Sequence, residues 1–218
     1  MNKTLVCTAL FAAIGGLSQA QASDAKNVIL FIGDGMGPTV LTATRLFKVG
    51  EEGDLEMMKL PQSARIKTFS HDAQVTDSAP SMAAYMTGVK SNNGVISMDS
   101  DATYESDCSQ SAGKPVTTLL ELAKADGRGT GVVTSTRVTH ATPAATYAHI
   151  CNRDLEADIA AQLVPGGAGY NGALKEGLDV VLGGGSSFFL PKADKGKRED
   201  GRNLIDEMQA KGYQFAST

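Results

Sequence analysis

Asn27-Val28-Ile29-Leu30-Phe31-Ile32 runs into Gly33-Asp34-Gly35-Met36-Gly37. A continuous apolar run closed by a glycine-rich turn reads as a buried central strand. Periodicity then predicts a helix over 39–49, with Leu41, Leu46 and Phe47 on one side and Gly50 as its stop. Pro115 suits a first helical turn, Leu119, Leu120 and Ala123 repeat at helical spacing, and Gly127 ends that segment. A short strand follows over 131–134, then a helix over 154–163 and a strand over 178–182 leading into Gly183-Gly184-Gly185. The charged segment 192–202 reads as a solvated loop, 203–211 as a helix capped by Gly212, and Tyr213-Gln214-Phe215 as the start of a strand. Alternating helix and strand predicts an α/β fold, a mainly parallel central sheet flanked by helices. Because the chain stops as a new strand begins, the fold is expected to be incomplete at its C-terminus.

The chain has 218 residues, 42% hydrophobic and 20% charged, a globular composition with room for one core of ordinary size. Twenty basic against 24 acidic residues, without a basic stripe, exclude the electrostatic footprint of a nucleic-acid binder. Lys3, the apolar stretch 5–17 and the small-residue exit Ala20-Gln21-Ala22 form the pattern of a secretory signal over 1–22. The mature domain is expected at 23–218, exported to a periplasm or secreted, with no apolar stretch of about 20 residues to span a membrane. Loss of Cys7 with that signal leaves Cys108 and Cys151. In an exported chain these suggest one disulfide, two free thiols being the alternative.

Three clusters could carry chemistry. In Thr76-Asp77-Ser78-Ala79-Pro80, Pro80 fits a first helical turn and Gly88 a cap. Ser78 then lies at a helix N-terminus, which favours a phosphate or an alkoxide; alone, it reads equally as an ordinary N-cap. Asp34, between two glycines at a strand end, is either a ligand-binding carboxylate or a turn residue. In the third cluster His140 and Thr142 follow a strand and could share a cation, while Arg153 can fork onto phosphate oxygens. The simpler alternatives are a satisfied histidine, a helix cap and a surface charge.

Taken in order, Gly33-Asp34-Gly35-Met36-Gly37, Thr76-Asp77-Ser78-Ala79 and Thr136-Arg137-Val138-Thr139-His140-Ala141-Thr142-Pro143 resemble the alkaline phosphatase family. Thr87-Gly88-Val89-Lys90, Tyr147-Ala148-His149 with Asn152-Arg153, and Gly183-Gly184-Gly185 with Phe188 add to the likeness, which spans 27–215. The resemblance implies phosphate monoester hydrolysis through a phosphoserine, with two Zn2+ and one Mg2+ as cofactors. It places the nucleophile on Ser78, which also meets zinc. Arg153 becomes the phosphoryl clamp, Asp77 its orienting carboxylate, Asp34 a ligand bridging magnesium and zinc, and Thr142 a magnesium ligand. His140 stands where the family carries aspartate or histidine; it ranks below Thr142 as a direct ligand. His149 is read as structural, and His71 is left unassigned.

The implied partners are small-molecule phosphate monoesters and inorganic phosphate, and homodimers are common in the family. The remaining metal ligands of the family come from a second half that this sequence does not contain, so the 218 residues are expected to be inactive alone. Two other readings are kept: an exported phosphate-binding module without turnover, and a sulfatase or phosphodiesterase of the same superfamily. The sulfatase reading is disfavoured because Ala79-Pro80-Ser81-Met82 has no arginine two places beyond the proline.

Overall fold

A computed structural model describes residues 26–105 and 107–217. The proposed signal over 1–22, with Cys7, lies outside them. Two compact units divide the chain, one ending at Gly33 and the other running from Asp34.

In the first unit, the run Asn27 to Ile32 is not a strand. Ile29 is 78% and Phe31 89% exposed, which corrects the expectation of a buried central strand. An apolar sequence makes a segment suited to burial on both faces but does not itself provide the layers that cover it.

The second unit is α/β. Helix α1, Pro38–Val49, begins on a proline one residue before the predicted start, ends at the predicted stop, Gly50, with φ +75°, and buries none of its residues. Helix α2, Ser78–Thr87, is capped by Asp77 and ends at Gly88 in the left-handed conformation. Helix α3 is Leu119–Ala125, four residues later than its proline suggested. The Thr118 hydroxyl and the Glu121 carboxylate form a reciprocal capping box there. Pro115 pairs with Met98 in an isolated bridge instead.

Strand β1, Gly131–Arg137, leads through helices α4, Ala141–Ala144, and α5, Glu156–Ala161, to strand β2, Val180–Gly184. The two strands pair in parallel, with Val132 opposite Val181 and Val133 opposite Leu182. Helix α6, Leu204–Ala210, is capped by Asn203. The segment 213–215 forms no strand; the Tyr213 hydroxyl donates to the Leu178 carbonyl. The charged segment before α6 is not wholly solvated either. Arg198 is buried, donating to the carbonyls of Ala157 and Phe188 and pairing with Asp200. A guanidinium can be buried when each donor finds an acceptor.

The core collects Ile96, Tyr147, Ile159, Leu163, Leu174 and Leu204, all essentially inaccessible to water. Each large apolar side chain buried this way contributes about 1.5–3 kcal/mol. The Tyr147 hydroxyl, inside that core, donates to the Val138 carbonyl at 2.8 Å and so keeps its polar end satisfied. Cys108 and Cys151 form a disulfide with Cα atoms 5.5 Å apart, the pairing that two cysteines in an exported chain suggest.

Candidate active site

The N-terminus of α2 organises the site. Asp77 has extended backbone, and its Oδ1 accepts from Ala79 N at 2.8 Å, so the cap is Asp77 and not Ser78. Ser78 is thereby left in the first turn with its hydroxyl free of a capping role. Asp77 Oδ2 accepts from Gly94 N at 2.9 Å, and Asp77 N donates to Asn93 Oδ1 at 3.1 Å. The carboxylate is held on both oxygens before it meets any ligand.

Arg153 comes to this point from the segment before α5. Its Nη1 donates to Ser78 Oγ at 3.0 Å and lies 3.5 Å from Asp77 Oδ2. Nη2 is 3.1 Å from His140 Nε2. A guanidinium only donates, so this nitrogen accepts, and the neutral His140 ring carries its proton on Nδ1. Burial, together with the cations Arg153 and Arg137, lowers the His140 pKa and keeps the imidazole neutral. Ser78, Asp77, Arg153 and His140 thus converge, from positions 75 residues apart in the chain.

Thr142 and Asp34 meet separately. The Thr142 hydroxyl donates to Asp34 Oδ2 at 2.7 Å. Carboxylate and hydroxyl oxygens form a donor pair suited to a hard cation such as Mg2+, as part of its shell. His140 offers that pair no lone pair, since Nε2 faces Arg153 and Nδ1 carries the proton. Among the described residues no three His, Cys, Asp or Glu side chains gather as a metal site. These residues therefore fit part of a magnesium shell and do not by themselves make a zinc centre.

Two further polar assemblies support the site. Glu156, buried in α5, accepts from Arg137 Nε at 2.8 Å and Nη2 at 2.9 Å, and from the Thr139 hydroxyl at 2.6 Å. It ties the end of β1 to α5 just before His140. His149 Nδ1 lies 2.7 Å from the Ser97 carbonyl and its Nε2 2.7 Å from Glu121 Oε1, and neither nitrogen bonds to Ser78, Asp77 or Arg153. His71, in an exposed loop, contacts Asn92 Oδ1 at 3.0 Å.

The sequence gives no hint of the part played by Gly94. Its N–H holds Asp77, and its carbonyl accepts from Arg153 N at 2.8 Å. At φ +79° it sits in the left-handed region, and a Cβ there would stand 2.2 Å from the Tyr104 ring. Asn93-Gly94 is a turn dipeptide, a signal for a turn that says nothing of Asp77 or Arg153.

The model of the family described as alkaline phosphatase matches residues 25–218. The tissue-nonspecific isozyme of alkaline phosphatase from Gallus gallus is 40% identical over 204 residues, covering 83% of this chain and 39% of that protein. The structure of alkaline phosphatase from the Antarctic bacterium TAB5 superposes with a TM-score of 0.69 at 30% identity, covering 88% of this chain and 47% of that one. A variant of the TAB5 enzyme with a histidine replaced by glutamate, carrying Mg in its M3 site, gives a TM-score of 0.67 at 30% identity over the same shares. The chain spans less than half the length of these relatives. No helix among the described residues is long and apolar enough to cross a membrane.

Proposed function

The chain belongs to the alkaline phosphatase family, and from that premise we propose that it carries the nucleophile and phosphate-binding half of a phosphate monoester hydrolase. The observation that carries this reading is the contact of Arg153 with Ser78 at the N-terminus of α2, beside Asp77.

Ser78 Oγ attacks phosphorus in line, and the ester oxygen leaves on the opposite side. The free N–H groups of the first turn of α2 favour negative charge at the attacking oxygen. Arg153 forks onto equatorial phosphoryl oxygens, giving up its bond to Ser78 Oγ as the substrate enters. Asp77 fixes the guanidinium without binding substrate itself. Water then hydrolyses the phosphoserine and returns Ser78. Bound Zn2+ and Mg2+ would supply Lewis acidity and lower the pKa of the serine hydroxyl, replacing a histidine base. Asp34 and Thr142 would hold magnesium, and Asp34 and Ser78 would each give one oxygen to zinc; His140, neutral and engaged by Arg153, would reach a cation only through water.

The residues named here fill only part of a zinc shell, so we propose that the 218 residues alone are inactive and that turnover belongs to the protein in which that shell is complete. Domain limits of 1–22 for an export signal and 23–218 for the catalytic portion, a periplasmic or secreted location and a homodimer complete the proposal. Phosphate monoesters of broad structure are the substrates, without recognition of nucleic acid.

The test is to trap phosphate on the metal-loaded protein at acidic pH and seek a phosphate mass increase on the Ser78 peptide. The modified peptide, lost in Ser78→Ala, is the expected result. Phosphate binding that survives chelators and leaves no covalent adduct overturns the enzyme reading in favour of a binding module.

A further inference from the structure

Arg153 lies in the segment Cys151-Asn152-Arg153-Asp154, and the other three residues of that segment are tied to one stretch of chain about 45 residues earlier. Cys151 is joined to Cys108 by the disulfide, and Cys151 N donates to Cys108 Sγ at 3.2 Å. Asn152 Nδ2 donates to the Glu105 carbonyl at 2.7 Å. The Tyr104 hydroxyl donates to Asp154 Oδ2 at 2.6 Å. Only Arg153 turns away, toward Ser78 and His140.

The same stretch also reaches the other side of the site. The Tyr104 ring packs over Gly94, the residue that holds Asp77 with its N–H and Arg153 with its carbonyl. Cys151 is fully buried and Asn152 nearly so, so the segment cannot relax into water where it is. The segment 151–154 forms neither helix nor strand, so no ladder of backbone bonds fixes the direction of the Arg153 side chain. The ties to residues 104, 105 and 108 add to the single bond from Arg153 N to the Gly94 carbonyl in fixing where its stem leaves the chain.

We propose that Tyr104, the Glu105 carbonyl and the Cys108–Cys151 disulfide form a strap whose role is to aim Arg153 at the phosphate, making them positioning residues for phosphate affinity. The inference rests on the reading of Arg153 as the phosphoryl clamp. A guanidinium forks onto two oxygens only in one plane, so a small rotation of its stem loses one of its two bonds. Misplacement of about 1 Å at such a group costs up to about 100-fold in rate or affinity. The strap does not touch Ser78, so its loss is felt in phosphate affinity more than in turnover of bound substrate.

The experiment compares the metal-loaded protein, its zinc shell complete, with Cys108→Ala/Cys151→Ala and with Tyr104→Phe, each made with Arg153 intact and in Arg153→Ala. The readouts are kcat and KM for p-nitrophenyl phosphate, inhibition by inorganic phosphate, and phosphate affinity by calorimetry. With Arg153 present, the disulfide variant is expected to raise KM and the inhibition constant about tenfold, and Tyr104→Phe about threefold, with kcat within about twofold. In Arg153→Ala neither change has a further effect, because the residue they aim is gone.

Equal effects in both backgrounds, or unchanged phosphate affinity in both strap variants, overturn the inference. Tyr104→Phe keeps the disulfide and removes one hydroxyl, so it decides the matter alone if the disulfide variant does not fold. If Arg153→Ala itself leaves phosphate affinity unchanged, the clamp reading has failed and the strap falls with it. If Arg153→Ala weakens phosphate binding while the strap variants do not, only the strap is refuted.

Discussion

Glu121 and His149 form a buried pair in which both ring nitrogens and both carboxylate oxygens meet a neighbour. His149 Nδ1 faces the Ser97 carbonyl and Nε2 faces Glu121 Oε1, both at 2.7 Å, so both nitrogens face acceptors, an arrangement that favours the charged ring. Glu121 also accepts from Asn171 Nδ2 at 2.6 Å and Thr118 N at 2.8 Å. Burial acts against both charges. The bonds to Glu121 and the Ser97 carbonyl nevertheless raise the His149 pKa, and those from His149, Asn171 and Thr118 lower that of Glu121.

A pH-dependent stability follows. His149 stabilises the fold fully below its ordinary value of 6.5 and loses that contribution as pH rises through its raised pKa. Glu121 contributes above its ordinary 4.5 and loses its share as pH falls through its lowered value. Calorimetric melting should therefore show an alkaline decline that His149→Gln flattens. An equal alkaline slope in both proteins would refute the charged pair.

Thr118→Val removes the acceptor for Glu121 N and the donor to the Thr146 carbonyl, bonds of 3.2 and 2.7 Å. Loss of a cap and of a buried bond should cost about 1–3 kcal/mol. Urea denaturation measures it, and a change below about 0.5 kcal/mol would show that the capping box contributes little.

Asp77→Asn separates the two duties of that side chain. An asparagine oxygen can still accept from Ala79 N while its NH2 faces Gly94 N without accepting, so the melting temperature should fall only modestly. The charge facing Arg153 is lost, and kcat/KM should fall about tenfold. A large drop in stability with unchanged kcat/KM would reverse this assignment.

Gly94→Ala forces a methyl toward the Tyr104 ring at φ +79°. Strain and overpacking together should cost about 2–4 kcal/mol, read from chemical denaturation. Phosphate affinity should fall as well, because Asp77 and Arg153 both hang on this backbone. Unchanged stability would mean that the ring moves aside freely.

Thr142→Val deletes the hydroxyl that meets Asp34 at 2.7 Å while keeping the shape of the side chain. Half-activation by Mg2+ after chelation should require about ten times more of the ion. Titration of the metal-stripped protein gives the answer, and an unmoved midpoint would remove Thr142 from the magnesium shell.

Local chemistry explains what was readable in advance. Pro38 and Gly50 bracket α1, and Asn203 and Gly212 flank α6, because caps and breakers act within a turn. Pro115 misled because it was taken as a helix start, while Thr118, three residues on, and Glu121, six on, carry the real signal. Arg198 looked like a surface charge since no sequence pattern shows that the Ala157 and Phe188 carbonyls wait for it. In the candidate site, Ser78 and Arg153 were proposed from their motifs, and the fold brings their side chains together. Gly94 and Tyr104 were not, because their importance lies wholly in contacts between distant segments.

At the end of the sheet, Gly183 leaves room for what a methyl would strike. A Cβ there would lie 2.6 Å from Thr134 Cγ2, 2.9 Å from Val138 Cγ1 and 3.1 Å from the Thr136 carbonyl. The missing atom is thus a mould for the exit of β1, and the turn cast in it delivers Thr139, His140 and Thr142 in succession. Mutational tolerance should be inverted here: a position with no side chain of its own accepts almost no replacement, since any larger residue displaces the turn that carries His140 and Thr142.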